Sequence, residues 1–305
     1  QYAAYHSQYN RGGIIEHMQL LEFQAKNLLR RSGISVPTGH VVGQGDSANP
    51  SDFTYPVVLK SQVPVGGRGK LGGIRLVHST DEFLATFPEV KALAIKGHKP
   101  ESILVEQALD IDRELYLALR VNRDERRIDV VASPEGGVEI ESHTSSVISL
   151  PFDDEHAALS VAKTLAVDQN ACKTLLQALY TCMIDNDLLL LEINPLVVTK
   201  TDMLVAADAK CLLDNNALFR HPDYANQAVS SSVLPLGGTI GVIANGAGMA
   251  MSTMDTIYAA GGRPANFLDI GGGTGEDVFI RNLREITQLP GVTSIIINIF
   301  AGITR

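Results

Sequence analysis

Leu21, Ala25, Leu28 and Leu29 recur at i, i+4, i+7 and i+8, the spacing of one face of an amphipathic helix. Gly33 is expected to end that helix, and Ile34-Ser35-Val36-Pro37 to lead away as extended chain. The short apolar run Tyr55–Lys60 predicts a strand that delivers a lysine at its end. Pro64–Gly73 (PVGGRGKLGG) is too rich in glycine for regular structure, and Ile74–Val77 alternates as a strand. Ser79 and Glu82 have the spacing of a capping box and open a helix. Strands are expected at Ile103–Glu106, Glu114–Arg120 and Arg127–Ala132, helices at Asp154–Leu165 and Asn170–Ile184, and strands again at Leu188–Ile193 and Met203–Asp208. Up to this point the pattern is α+β and mostly antiparallel.

From Gly237 the rhythm changes. Thr239–Ala244, Asn266–Asp269 and Ser294–Phe300 read as strands, separated by helices at Gly248–Ala260 and Glu276–Leu289. Strict β-α-β-α-β alternation implies a parallel sheet with right-handed crossovers. The loop-like stretch Ser230–Gly238 then marks a domain boundary, giving a first domain over 18–236 and a second over 237–305.

Composition narrows the class. A chain of 305 residues suits about two domains. With 45% hydrophobic residues but only 6% aromatic and no Trp, the core must be mainly aliphatic, as in α/β proteins with buried Val, Ile and Leu strands. A net charge of −9, with Lys and Arg dispersed, gives no footprint for nucleic acid. Cys172, Cys182 and Cys211 have no CxxC spacing and are too few for a disulfide framework, which fits a reducing compartment. The longest apolar run, Leu188–Thr199, is broken by Glu192 and Asn194 and falls short of the roughly 18–20 residues of a membrane span. Residues 1–17 are polar and Tyr/Gln-rich without an apolar h-region, so a tag, a vector-derived leader or a disordered extension is expected there, with Met18 as the natural start.

Several groups of residues bear on chemistry. Lys60 with Gly66-Gly67-Arg68-Gly69-Lys70 offers cations and close backbone approach to a polyphosphate, although the Walker A spacing is missing; a hairpin turn with solvated basic residues fits the same letters. Glu192 and Asn194 share one face of a strand, and Asp208, ending the next, can complete an oxygen cluster of the kind Mg²⁺ prefers; polar residues at strand ends are the plainer alternative. Glu106 and Glu114 flank a short connection, either as hydrogen-bond acceptors for a ribose or adenine or as two solvated acids. Asn245-Gly246-Ala247-Gly248 and Gly271–Gly275 each follow a strand and precede a helix, an arrangement that favours anions at the helix N-terminus, though glycine is common in such turns for backbone reasons alone. No histidine has partners for a metal site, and no GxSxG or cysteine nucleophile motif occurs. A covalent intermediate would therefore use a nucleophile on another chain.

Taken together the chain resembles the β subunits of succinate–CoA ligases (succinyl-CoA synthetases), of the ATP-grasp group. The resemblance starts at Leu21–Lys26 (LEFQAK) and runs to the last residue. It rests on Gly66–Lys70 (GGRGK), Ile103–Glu106 (ILVE), Arg113–Tyr116 (RELY), Glu135–Glu141 (EGGVEIE), Glu192–Leu196 (EINPL), Asp208–Lys210 (DAK), Asn216–Arg220 (NALFR), Asn245–Met251 (NGAGMAM), Ala265–Gly273 (ANFLDIGGG) and Asn298–Ile303 (NIFAGI). Their occurrence in order is what makes the resemblance specific.

That resemblance implies an α+β ATP-grasp domain followed by a parallel-sheet, flavodoxin-like CoA-ligase domain, the latter incomplete. It implies that Lys60, Gly67, Arg68 and Gly69 contact nucleotide phosphates, that Glu106, Leu109 and Glu114 hold the adenine–ribose end, and that Asn194 and Asp208 bind Mg²⁺. Glu192 would face a phosphohistidine brought by a partner α subunit, while Asn245 with Gly302-Ile303-Thr304 would line the site of succinyl phosphate and CoA. The implied reaction passes phosphate from ATP, or GTP, to the α-subunit histidine and then to succinate, before CoA displaces it, as in the tricarboxylic acid cycle. The implied setting is bacterial cytoplasm or the mitochondrial matrix, without nucleic-acid or membrane partners. The resembling subunits continue beyond the position of Arg305, so a fragment or a shortened product is expected. The segments near Val147–Asp154 and Asn226–Val233 look short, and Ala301 stands where glycine is usual. A malate– or citrate–CoA ligase β subunit and a truncated, non-catalytic nucleotide-binding subunit are the alternative readings.

Overall fold

The computed structural model describes residues 18–137, 147–152, 155–225, 233–271 and 274–300. These form two compact units, 18–225 and 233–300. The leader expected over 1–17, part of the EGGVEIE stretch, Gly272-Gly273 and the segment from Ala301, with Gly302, Ile303 and Thr304, lie outside the described residues.

The first unit opens with strand β1 (Met18–Gln19) and helix α1 (Glu22–Arg31). The Gln24 side chain accepts from Leu21 N–H at 2.9 Å and closes the helix N-terminus. At the other end Gly33 and Ile34 donate to the carbonyls of Arg30 and Leu29, a Schellman closure. Ala25, Leu28 and Leu29 are buried as the periodicity requires. Strands β2 (Gly39–Gly43), β3 (Val57–Gln62), β4 (Ile74–Val77) and β5 (Ser102–Gln107) make an antiparallel sheet in the order β2-β5-β3-β4. Helix α2 (Thr80–Ala92) covers it with Phe83, Phe87 and Val90. Ser79 caps α2 by accepting from Glu82 N–H, and the Glu82 carboxylate turns back to His78 N–H.

Strands β6 (Ile111–Asn122), β7 (Arg127–Ser133), β8 (Ile148–Pro151), β9 (Leu188–Thr199), β10 (Leu204–Ala206) and β11 (Ala209–Leu213) join β1 in a second antiparallel sheet. Its order is β1-β11-β9-β6-β7-β8, with β10 also paired to β9. Helices α3 (Glu155–Leu165) and α4 (Gln169–Asp185) pack on it beside α1 through Val161, Leu165, Leu176 and Leu179. Each such buried aliphatic side chain contributes about 1.5–3 kcal/mol relative to exposure. The three cysteines are buried free thiols in this core, and burial pushes the Cys172 thiol up to about 11. A 3₁₀ turn (Asn215–Arg220) and the short α5 (Pro222–Ala225) end the unit.

Two expectations are corrected here. β9 runs on to Thr199, six residues past its expected end. Asp208 does not end a strand: β10 stops at Ala206 and a new strand, β11, starts at Ala209, leaving Asp208 in the link. That link bends because Ala207 N–H bonds back to Pro195 and Asn194 N–H reaches the Asp208 carbonyl.

The second unit contains β12 (Leu234–Pro235), β13 (Ile240–Ala244), α6 (Ala247–Ala259), β14 (Asn266–Phe267), α7 (Glu276–Gln288) and β15 (Ser294–Asn298). β13 and β15 pair in parallel, and parallel bridges join β13 to Pro264 and Asp269 on either side of β14. The expected α/β class, with an antiparallel first part and a parallel second, is the observed architecture. β14 is shorter than the expected strand because the buried Asn266 amide takes the place of a backbone rung. It accepts from Val242 N–H at 2.9 Å and donates to Val242 O at 2.8 Å. No described helix is long and apolar enough to cross a membrane.

Candidate nucleotide site

Six charged side chains from five segments of the first unit meet in one place. Glu22 and Lys26 come from α1, Lys60 from β3, Arg68 from the glycine-rich loop, Glu106 from β5 and Asp208 from the β10–β11 link. Glu22 Oε1 lies 2.8 Å from both Lys26 Nζ and Lys60 Nζ, and Glu22 Oε2 lies 2.7 Å from Arg68 Nη1. Glu106 Oε2 is 2.6 Å from Lys26 Nζ and 2.8 Å from Lys60 Nζ. Both lysines also donate to the Ala207 carbonyl. Arg68 donates to Ser61 O and, through Nη2, to both oxygens of Asp208 at 3.1 and 2.9 Å. Three cations thus balance three carboxylates.

Burial makes this arrangement costly. Glu22 is 4%, Glu106 2%, Lys26 2%, Lys60 7% and Arg68 9% exposed. Desolvating each ion costs several kcal/mol, about what its partners return, so such a network adds little net stability, while loss of one member costs about 3–5 kcal/mol. Burial pushes the Glu22 carboxyl up, but the charges of Lys60, Lys26 and Arg68 outweigh that and hold it well below the usual carboxylate range. Burial lowers Lys60, yet Glu22, Glu106 and Asp208 raise it above its ordinary value. Arg68 is raised likewise against burial, by Asp208 and Glu22. Lys26 goes the other way, lowered by burial and by the Lys60 charge. Asp208 is raised by burial and by Glu22. Charges held this far from their solution behaviour are a feature of functional sites.

The loop bearing Arg68 is shaped by its glycines. Gly67 has φ +82°, a conformation that L side chains avoid, and it turns the chain so that Arg68 points inward. Lys70 stays exposed. The structure separates Glu106 from Glu114. Glu106 belongs to the four-stranded sheet, with its carboxylate held by the two lysines, whereas Glu114 is exposed on β6 of the other sheet. Half-buried Leu109 lies in the link between β5 and β6.

Asn194 and Asp208 are neighbours, joined by the Asn194 N–H bond to the Asp208 carbonyl. The Asn194 amide accepts from Gly137 N–H at 2.6 Å and donates to Gly137 O at 3.1 Å. Gly136 N–H in turn bonds to Glu114 O. A Cβ on Gly136 would lie 2.3 Å from Leu115 O, so only glycine allows this approach. Glu192 and Asn194 are half-buried on one face of β9, opposite buried Leu191 and Ile193, as the strand period requires. Glu192 stands across from Lys210 on β11, a favourable cross-strand pairing. The Asn194 amide oxygen on β9 and the Asp208 carboxylate in the β10–β11 link suit Mg²⁺, which takes few protein oxygens and keeps water or substrate phosphate for the rest. No cluster of three or more His, Cys, Asp or Glu fit for a metal occurs among the described residues.

In the second unit, Asn245 donates to Phe300 O at 3.0 Å and accepts from Phe300 N–H at 2.8 Å. This fixes Asn245 beside the residue that precedes Ala301-Gly302-Ile303-Thr304. Both glycine-rich turns are tied to one carboxylate: Asp269 Oδ1 accepts from Gly246 N–H at 2.6 Å and from Gly271 N–H at 2.8 Å.

Residues 19–198 match the family model described as ATP-grasp domain, and residues 243–305 the one described as CoA-ligase. A succinate–CoA ligase [ADP-forming] subunit beta of Desulfurococcus amylolyticus is 40% identical, over 94% of this chain and 83% of the relative. A succinate–CoA ligase [GDP-forming] subunit beta of Thermus thermophilus is also 40% identical, with the same coverage. The chain belongs to the succinate–CoA ligase β-subunit family. Among solved structures, ATP citrate lyase from Methanothrix soehngenii shares the fold, with TM-score 0.65 and 20% identity over 93% of this chain and 81% of that one.

Membership in the ligase β-subunit family makes the chain part of an ATP-dependent CoA ligase, and the ion cluster, Asp208 apart, lies in the stretch that matches the ATP-grasp domain. Sequence reasoning missed Glu22 and Lys26 as members of the cluster, although they lie in the LEFQAK stretch. A signal was available. Glu22, Lys26 and Leu29 stand at i, i+4 and i+7, which puts both charges in line with the buried stripe. Gly136 and Gly137 were read as part of a family stretch, not as the joint between Glu114 and Asn194.

Proposed function

We propose that this chain is the nucleotide-binding subunit of a succinate–CoA ligase, which phosphorylates a histidine of a partner α subunit. The observation that carries this is the convergence of Lys60 and Arg68 with Glu106 and Asp208. A buried, charge-balanced set gives an incoming polyphosphate something to exchange with. The phosphates compete with Glu106 and Asp208 for Lys60 and Arg68, and the freed carboxylates turn to other partners. Gly67 and Gly69 let the loop backbone approach the phosphates. Glu106, with Leu109 and Glu114, takes the nucleoside hydroxyls and base, while Asn194 and Asp208 hold Mg²⁺. Mg²⁺ supplies charge neutralisation at the transferring phosphoryl group, the main source of catalysis in such reactions.

Glu192, half-buried on β9 two residues before Asn194, is the residue we assign to the incoming histidine. Its carboxylate orients the imidazole and stabilises the proton on one ring nitrogen while the other attacks the γ-phosphorus and ADP leaves. In the second unit we assign Asn245, together with Gly302, Ile303 and Thr304 of the sequence after Phe300, to the succinyl phosphate and CoA step, and the overall reaction to the tricarboxylic acid cycle. The identities to relatives named as succinate–CoA ligase β subunits support succinate as the acid.

The test mixes the full chain with an α subunit of such a ligase and ATP·Mg²⁺ labelled at the γ phosphate. Acid-labile label on α that requires this chain, and disappears on adding succinate and CoA, is expected. ATP binding without any label on α would contradict the phosphoryl-transfer reading.

A further inference from the structure

Lys60 and Arg68 reach the site from different segments, a strand and a loop, and each has a carboxylate partner that the other does not touch: Glu106 for Lys60, Asp208 for Arg68. The carboxylate in contact with both is Glu22. It is deeply buried and stands at the first position of α1, where a negative charge is favoured by the helix dipole. That turn of α1 is tied to the strand carrying Lys60. Phe23 N–H donates to Gln62 Oε1 at 3.0 Å, and Gln62 Nε2 donates to Lys60 O at 3.1 Å. Lys26, one turn along, balances the charge and contacts Glu22 at 2.8 Å.

We propose that Glu22 is a positioning residue that keeps Lys60 and Arg68 side by side for the polyphosphate of the nucleotide. The proposal rests on the nucleotide reading above and adds a residue to it. Glu106 and Asp208 are more useful elsewhere once phosphates take their place at the cations. Glu22 has no such alternative. It contacts both cations from the first turn of a helix and stays with them. Without it, two like charges lose the carboxylate they share, and each is free to follow its own remaining partner away from the other.

A merely structural role is separated from this one by removing charge in a balanced pair. The double variant Glu22→Gln/Lys26→Met leaves Lys60 and Arg68 against Glu106 and Asp208, so the buried set stays neutral and the fold is expected to survive, as a melting scan of the full chain checks. Calorimetric titration with ATP·Mg²⁺ and with AMP then reads the site. A weakening of about tenfold for ATP, with less than about a twofold change for AMP, is expected, since only the polyphosphate bridges both cations by charge-assisted hydrogen bonds. Undiminished ATP affinity in the folded variant overturns the proposal. So does an equal loss for ATP and AMP, which is what general damage would produce. Should the double variant fail to fold, Glu22→Asp keeps the charge but shortens the reach, and the same ATP-to-AMP comparison decides. Failure of the unaltered chain to bind ATP·Mg²⁺ would instead overturn the nucleotide reading itself.

Discussion

Glu22 and Lys26 show how a residue's chemistry depends on what packs against it. On an exposed helix this pair would add only about 0.2–0.5 kcal/mol as an i,i+4 contact. Here Lys60, Arg68 and Glu106 close over it and water is excluded. The pH dependence follows. Because the cations hold the folded Glu22 below its ordinary value of 4.5, its contribution is complete above that value and is lost as pH falls through the folded one. Melting midpoints of the full chain should therefore decline below pH 4.5, and Glu22→Gln/Lys26→Met should decline less steeply. Equal declines in both proteins would show that the acid sensitivity lies elsewhere. The helical spacing of Glu22 and Lys26 puts them in line with the buried stripe, but it does not tell what they meet there, because Lys60, Arg68, Glu106 and Asp208 come from distant parts of the chain.

Among elements, those fixed by local rules were legible and those fixed by pairing were not. The apolar period of α1, the Ser79 cap and the glycine-rich loop each read correctly because their causes are short in range. The break between β10 and β11 did not, because it depends on Pro195 and Asn194 across the sheet. Likewise the shortness of β14 comes from an Asn266 side chain standing in for backbone. Glycines divide in the same way. Gly136→Ala drives a Cβ into Leu115 O and should cost about 1–3 kcal/mol in urea unfolding, loosening the Asn194 contact as well. Gly66→Ala meets nothing within 4 Å and should stay within about 0.5 kcal/mol. Equal costs at the two positions would mean that the close approach at Gly136 is not what holds the β6–β9 joint.

At the scale of the molecule, the change from antiparallel to parallel strands was legible because helix–strand alternation dictates sheet type. The position of each site residue within its unit was not. Glu106 and Glu114, near in sequence, part into different sheets, and Lys60 and Asp208, distant in sequence, converge. The convergent charges of the first unit are expected to receive a nucleoside triphosphate. Removing Arg68 and Asp208 together, as Arg68→Met/Asp208→Asn, leaves Glu22, Lys26, Lys60 and Glu106 as a balanced set, so folding and binding can be read apart. The most direct measurement is calorimetric titration of ATP·Mg²⁺ into the full chain and into this variant. Saturable binding by the unaltered chain is expected, with a loss of at least about a hundredfold, roughly 2.7 kcal/mol, in the folded variant. Equal affinities would contradict it, and the nucleotide would have to bind elsewhere on the chain.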